Sequence, residues 1–73
     1  MGFQFQWVPS EGVTYHLQAV VVHIGASGAG HYVCYVRRAT GQWEFHNDEV
    51  LPVPVAQQAV GRQRAFILIY VKQ

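Results

Sequence analysis

From Tyr15 to Ile24 the chain is dominated by Val, Leu, Ala and Ile, and then it stops short at six small residues, Gly25-Ala26-Ser27-Gly28-Ala29-Gly30. The longest purely apolar run of this stretch, Ala19 to Val22, is far below the roughly 18–20 residues of a membrane-spanning helix. Its β-branched content instead predicts a buried strand, with Tyr15, Leu17, Ala19, Val21 and His23 sharing one face. The small residues that follow build no core and take positive φ cheaply, so they read as a flexible loop.

His31 to Arg38 resumes the alternation, Ala39-Thr40-Gly41 reverses the chain, and Gln42 to His46 returns as the second arm of a hairpin. Asn47-Asp48 ends that arm, and Pro52 and Pro54 forbid a regular central strand through Leu51 to Val55. Val55 to Val60 has helical spacing for barely two turns and ends at Gly61, a fitting C-cap. Ala65 to Val71 reads as a last strand buried on both faces, and Phe3 to Trp7 as an edge strand before a Pro9-Ser10-Glu11-Gly12 turn. The expected fold is α+β and mainly antiparallel, a meander of about four to five strands with one short helix. It occupies residues 1–73 with no second domain.

Composition narrows the function classes. With 51% hydrophobic and only 12% charged residues, against about 25% charged in an average domain, the chain carries more apolar surface than so small a body easily buries. Five Lys and Arg against four Asp and Glu give no field to gather nucleic acid or an anionic membrane. A single cysteine, Cys34, excludes an internal disulfide or a zinc ribbon and points to a reducing compartment, the cytoplasm or nucleus. The opening residues lack a signal-peptide pattern, and Gln6 stands where a myristoylation site at Gly2 needs Ser or Thr. The histidines at 16, 23, 31 and 46 include no short-spaced pair of metal ligands, and the glycine loop lacks the Gly-Lys-Ser/Thr of a phosphate loop, so no metal and no cofactor is expected.

One constellation carries chemistry. Gly30-His31-Tyr32 after the small loop, and Asn47-Asp48 four residues beyond Trp43, supply a general base and a group to orient its ring, without an evident nucleophile. Cys34 is three residues from His31 on the same strand and so falls on the opposite face, where a small buried thiol fits the core.

The segment Tyr15 to Gly25, the loop, and Gly30-His31-Tyr32-Val33-Cys34-Tyr35-Val36-Arg37 closely resemble the histidine box of ubiquitin-specific proteases. Gly41-Gln42-Trp43, Asn47-Asp48 and the closing Ala65-Phe66-Ile67-Leu68-Ile69-Tyr70 follow in that family's order, so the resemblance spans residues 15 to 71. It implies the C-terminal part of a papain-like palm, in which His31 is the base for a cysteine that attacks at the C-terminal glycine of ubiquitin. Asn47 would hold the ring and Asp48 tune the site. Gly28 and Gly30 would overlie the ubiquitin tail, with Tyr32 and His23 beside them as substrate-binding and supporting residues. His46 departs from the pattern, which usually has an aromatic or apolar residue just before the triad Asp or Asn. The cysteine box and the zinc-bearing finger are not matched, so the implied partners are ubiquitin or its conjugates and the N-terminal part of the catalytic domain. The alternative expectation is a ubiquitin-binding or structural fragment that catalyses nothing.

Overall fold

A computed structural model describes residues 3–25, 28–48 and 50–73. The order of elements is β1 (Gln6–Ser10), β2 (Val13–Ile24), β3 (His31–Arg37), β4 (Trp43–Asn47), β5 (Val50–Val55), α1 (Gln57–Gly61) and β6 (Ile67–Lys72). Every pairing is antiparallel; β1 to β5 follow one another in space and β6 returns to β2. The long β2 organises the sheet. Its first half pairs with β1 and its second half with β3 along one edge, while β6 lies along the other.

The mainly antiparallel sheet with one short helix is present, and among the described residues it holds six strands. The addition is β5, which runs through Pro52 and Pro54. It survives because it pairs only with β4, so that prolines lacking an N–H sit at a sheet edge, where no second ladder is interrupted.

Two details differ from the sequence pattern. The single-faced alternation expected along β2 breaks, because the register against β6 shifts between Leu17 and Ala19 and leaves Gln18 unmatched. A bulge of this kind resets the side-chain parity. Leu17, Val20 and Val22 therefore join one core, while Val21 and His23 fall on the reverse face. Nor is the last strand buried on both faces. It begins at Ile67 and alternates, with Ile67, Ile69 and Val71 half-exposed and Leu68 and Tyr70 turned toward the core.

Leu17, Val20, Val22, Val33, Tyr35 and Trp43 of the sheet pack with Val60 of α1, and Phe3, Phe5 and Phe45 close over them. A helix of five residues does not hold itself in water, so α1 depends on the complete burial of Val60. Gly61 lies inside α1 rather than capping it; the C-cap is Arg62, in an ordinary right-handed conformation. What favours glycine at 61 is space, since an added Cβ would come within 3.3 Å of the Phe5 ring.

Candidate functional site

The pairing of β2 with β3 decides where His31 points. Val22 opposes Val33, His23 opposes Tyr32 and Ile24 opposes His31. Because Val33 and Tyr35 enter the core, alternation puts His31 on that same face, at the end where burial stops. On β4, Trp43 opposes Arg37 and Phe45 opposes Tyr35, so Asn47 also belongs to the core face. The observed ladder ends at Cys34 and His46, and continued by one step it would set Asn47 opposite Val33 and diagonal to His31. Diagonal cross-strand neighbours have Cα atoms roughly 7–8 Å apart, within reach of long side chains. His31 is exposed and Asn47 half-buried, and none of the side-chain hydrogen bonds among the described residues uses either group.

Two backbone features fix these positions. Gly25 and Gly30 pinch the base of the β2–β3 loop, both at positive φ (109° and 103°). A Cβ at Gly30 would sit 2.0 Å from the Ile24 carbonyl oxygen, so the residue before His31 must be glycine for the strand to begin there. Gly28 also has positive φ, but a Cβ there would meet nothing within 4 Å. Ala26 and Ser27, in the middle of the loop, lie outside the described residues, as do Met1, Gly2 and Glu49. The second feature is the tight β4–β5 turn, in which Asn47 pairs with Val50. Asp48 occupies it at φ 46°, a left-handed conformation that Asp tolerates better than most residues, and its side chain is exposed.

The reverse face holds the remaining candidates. His23 and Tyr32 rings lie 4.9 Å apart, and Phe66 completes a trio at 5.4 Å from Tyr32 and 6.5 Å from His23. The structure thus puts His31 and Asn47 on one face of a sheet end and, on the reverse face, pairs His23 with Tyr32. Phe66 is the residue that sequence periodicity missed: it reads there as part of the last strand, yet it precedes β6 and its ring is exposed against Tyr32. Cys34 faces away from His31, between Val21 and His46, and burial pushes its thiol above the ordinary value. That shift disfavours the thiolate that a nucleophile needs. Beside it the His46 Nε2 lies 3.2 Å from Glu44 Oε1, which also faces Arg38 at 3.8 Å. Trp43 is core, only 1% exposed, with its Nε1–H lacking a partner. Among the described residues no cluster of three His, Cys, Asp or Glu groups is placed to hold a metal, and no helix is long and apolar enough to cross a membrane.

Residues 5–70 match the family model described as ubiquitin carboxyl-terminal hydrolase. The chain belongs to that family. It is 41% identical over 66 residues to ubiquitin carboxyl-terminal hydrolase 23 of Arabidopsis thaliana, covering 88% of this chain and 8% of the relative. It is 42% identical over 60 residues to ubiquitin carboxyl-terminal hydrolase 3 of Mus musculus, covering 81% of this chain and 11% of the relative. Among solved structures, the Ubp8–Sgf11–Sgf73–Sus1 SAGA DUB module superposes with a TM-score of 0.87 at 26% identity, over 100% of this chain and 18% of that one. The same module bound to ubiquitin aldehyde gives 0.78 at 30% identity, over 84% of this chain and 13% of that one. This ubiquitin hydrolase domain portion therefore spans about a tenth of the length of the curated relatives named here.

Proposed function

We propose that the chain is the C-terminal portion of a deubiquitinating cysteine protease domain, covering residues 1–73, and that it supplies the base and its orienter. The observation that carries this reading is that His31 and Asn47 stand on adjacent strands and on one sheet face, at an end where burial stops. His31 takes the proton of a cysteine thiol supplied by the rest of the catalytic domain. The thiolate attacks the carbonyl of ubiquitin's C-terminal glycine, and His31 returns the proton to the leaving amine as the acyl-thioester forms. Water, deprotonated by the same ring, then releases ubiquitin as a carboxylic acid and restores the thiol. Asn47 accepts a hydrogen bond from the far ring nitrogen, and this holds the tautomer without adding charge. Asp48, on the adjoining turn, fixes the backbone that presents Asn47 and lends the site negative potential. Gly28 and Gly30 let the ubiquitin tail approach the backbone, with Tyr32 and His23 supporting the loop from beneath. A cytoplasmic or nuclear setting fits the single, unpaired cysteine.

A second reading has its own support. The sole thiol, Cys34, lies on the face opposite His31 with its thiolate disfavoured, so the chain by itself would bind ubiquitin without hydrolysing it. The mass of the native polypeptide, detected with an antibody to residues 62–73, separates the two. A product far above 8.2 kDa that hydrolyses ubiquitin conjugates, and loses this on His31→Ala, supports the protease reading. A product near 8.2 kDa that binds ubiquitin equally well with and without His31→Ala supports the binding module.

A further inference from the structure

Glu44 and His46 are a polar pair on β4 that the proposed chemistry leaves unused. They alternate with Trp43, Phe45 and Asn47, so they stand on the reverse face of the sheet, away from His31. His46 opposes Cys34 of β3, and its Nε2 lies 3.2 Å from Glu44 Oε1. A carboxylate only accepts, so the ring nitrogen that faces it carries the hydrogen and donates. The same Oε1 faces Arg38 Nη1 at 3.8 Å, and Arg38 is itself fixed in the β3–β4 turn by backbone hydrogen bonds to Gln42 and Gly41. The Arg38 side chain is 60% exposed, so that ion pair is weak. The Glu44 and His46 side chains are only 24% and 35% exposed, and their hydrogen bond is correspondingly less diluted by water.

The pair sits where β4 loses its neighbours. Cys34 and His46 form the last step of the β3–β4 ladder, and the β4–β5 register shifts between Phe45 and Asn47. His46 is therefore paired in register on one side, while Asn47 beyond it is paired on the other, to Val50. No strand step joins the two residues to a common partner, so the backbone between them is the least constrained part of β4. A small rotation there would swing the Asn47 amide, because successive side chains on a strand are carried by one backbone plane.

We infer that His46 is a positioning residue for Asn47, its hydrogen bond to Glu44 holding the last step of β4 so that the Asn47 amide stays aimed toward the His31 ring, an assignment that rests on the reading of these two residues as orienter and base. His46 works from the opposite face, so it touches neither substrate nor the reacting atoms. The residues assigned to the ubiquitin tail, Gly28, Gly30, Tyr32 and His23, belong to the β2–β3 end and not to β4. Loss of the contact therefore acts on the chemical step and leaves substrate binding as it was.

Steady-state hydrolysis of ubiquitin carrying a fluorogenic C-terminal amide, by the cysteine-bearing polypeptide and its variants, tests this, with the folded fraction of each measured by circular dichroism. His46→Leu and Glu44→Ala should each lower kcat per folded molecule by about ten- to a hundredfold at unchanged KM, since a misplacement of about 1 Å can cost roughly a hundredfold. The double variant should lose no more than either single one, because both remove the same contact. His46→Gln, whose amide N–H can still donate to Glu44, should restore most of kcat. Unchanged kcat in His46→Leu, a loss that appears in KM or in the folded fraction alone, or a His46→Gln variant as slow as His46→Leu would each overturn the proposal. Asn47→Ala tells the two failures apart. If it loses hydrolysis while His46→Leu does not, only the role of His46 falls; if it hydrolyses as the wild type does, the role of Asn47 as orienter falls and that of His46 with it.

Discussion

The covered and open halves of a single sheet face use the same three strands for different ends. Around Trp43, Tyr35 and Val22 the face lies under α1 and the Phe5 ring, and these side chains are almost entirely removed from water. Further along each strand, past Val22, Val33 and Phe45, the cover ends, and the positions that would extend the core are filled by Ile24, His31 and Asn47. Strand alternation aims all of these side chains the same way. Only the reach of the cover decides whether a position serves stability or remains available for chemistry.

If this division holds, truncation in the covered half must be ruinous. Trp43→Ala removes the largest fully buried side chain, and such deletions cost about 3–5 kcal/mol. A core of this size supplies about that much net stability in total. The variant should be unfolded at room temperature, as read from amide dispersion in an NMR spectrum. A folded Trp43→Ala chain would break the comparison. Trp43→Phe sharpens it: the change keeps most of the ring while deleting the partnerless Nε1–H, and so should cost far less than the alanine.

The loop that joins the halves gives the next largest effect. Gly30→Ala forces a Cβ to within 2.0 Å of the Ile24 carbonyl, so the β2–β3 ladder must shift, at a cost of about 2 kcal/mol or more. Gly28→Ala meets no atom and bears only the left-handed penalty, about 1 kcal/mol. Chemical denaturation of the two variants side by side should reproduce that order. Equal losses would mean that the close approach at Gly30 is not what fixes the start of β3.

These contrasts also mark what was legible in the sequence. The hairpin of β3 and β4 was, because strict alternation flanks a turn whose Gly41 takes φ 92° and whose N–H returns to Arg38. That His31 opens β3 and Asn47 closes β4 follows from the same hairpin. The parity change at Gln18 was not legible, since nothing in Leu17-Gln18-Ala19 announces a bulge that appears only when β6 pairs alongside. It moved Leu17 and Val20 into one core and left His23 on the reverse face. β5 escaped notice because proline argues against a strand only where both edges are paired, and edge position is a property of the whole fold. The tertiary role of Phe66 depends on where β6 begins, which a run of apolar residues does not specify.

A smaller effect concerns the reverse face. Burial holds the Cys34 thiol protonated beyond its ordinary value of 9.0, so the native state keeps this proton more tightly than the unfolded chain does. The sign follows from linkage: this contribution is fully present below the ordinary value and is lost as pH rises through the native one. Stability should therefore fall in the alkaline range more steeply for the wild type than for Cys34→Ala, as measured by denaturation at a series of pH values. Identical pH profiles would place the thiol in water and remove the contrast between the Cys34 and His31 environments.

The smallest effect on stability belongs to the residues assigned the largest effect on chemistry. His31 is exposed, Asn47 is only half-buried, and no side-chain hydrogen bond ties either to the described fold. Exposed positions without such ties usually change stability by no more than about 0.5 kcal/mol, so His31→Ala and Asn47→Ala should denature with the wild type. In the cysteine-bearing polypeptide the same substitutions should lower ubiquitin hydrolysis by several orders of magnitude, because the members of such a triad act as a unit. His31→Ala should leave a thiol without its base, and Asn47→Ala an imidazole free to turn away from it. A large loss of stability on His31→Ala would mean that the open half of the face is core after all. Unchanged hydrolysis would mean that it is open for some purpose other than catalysis.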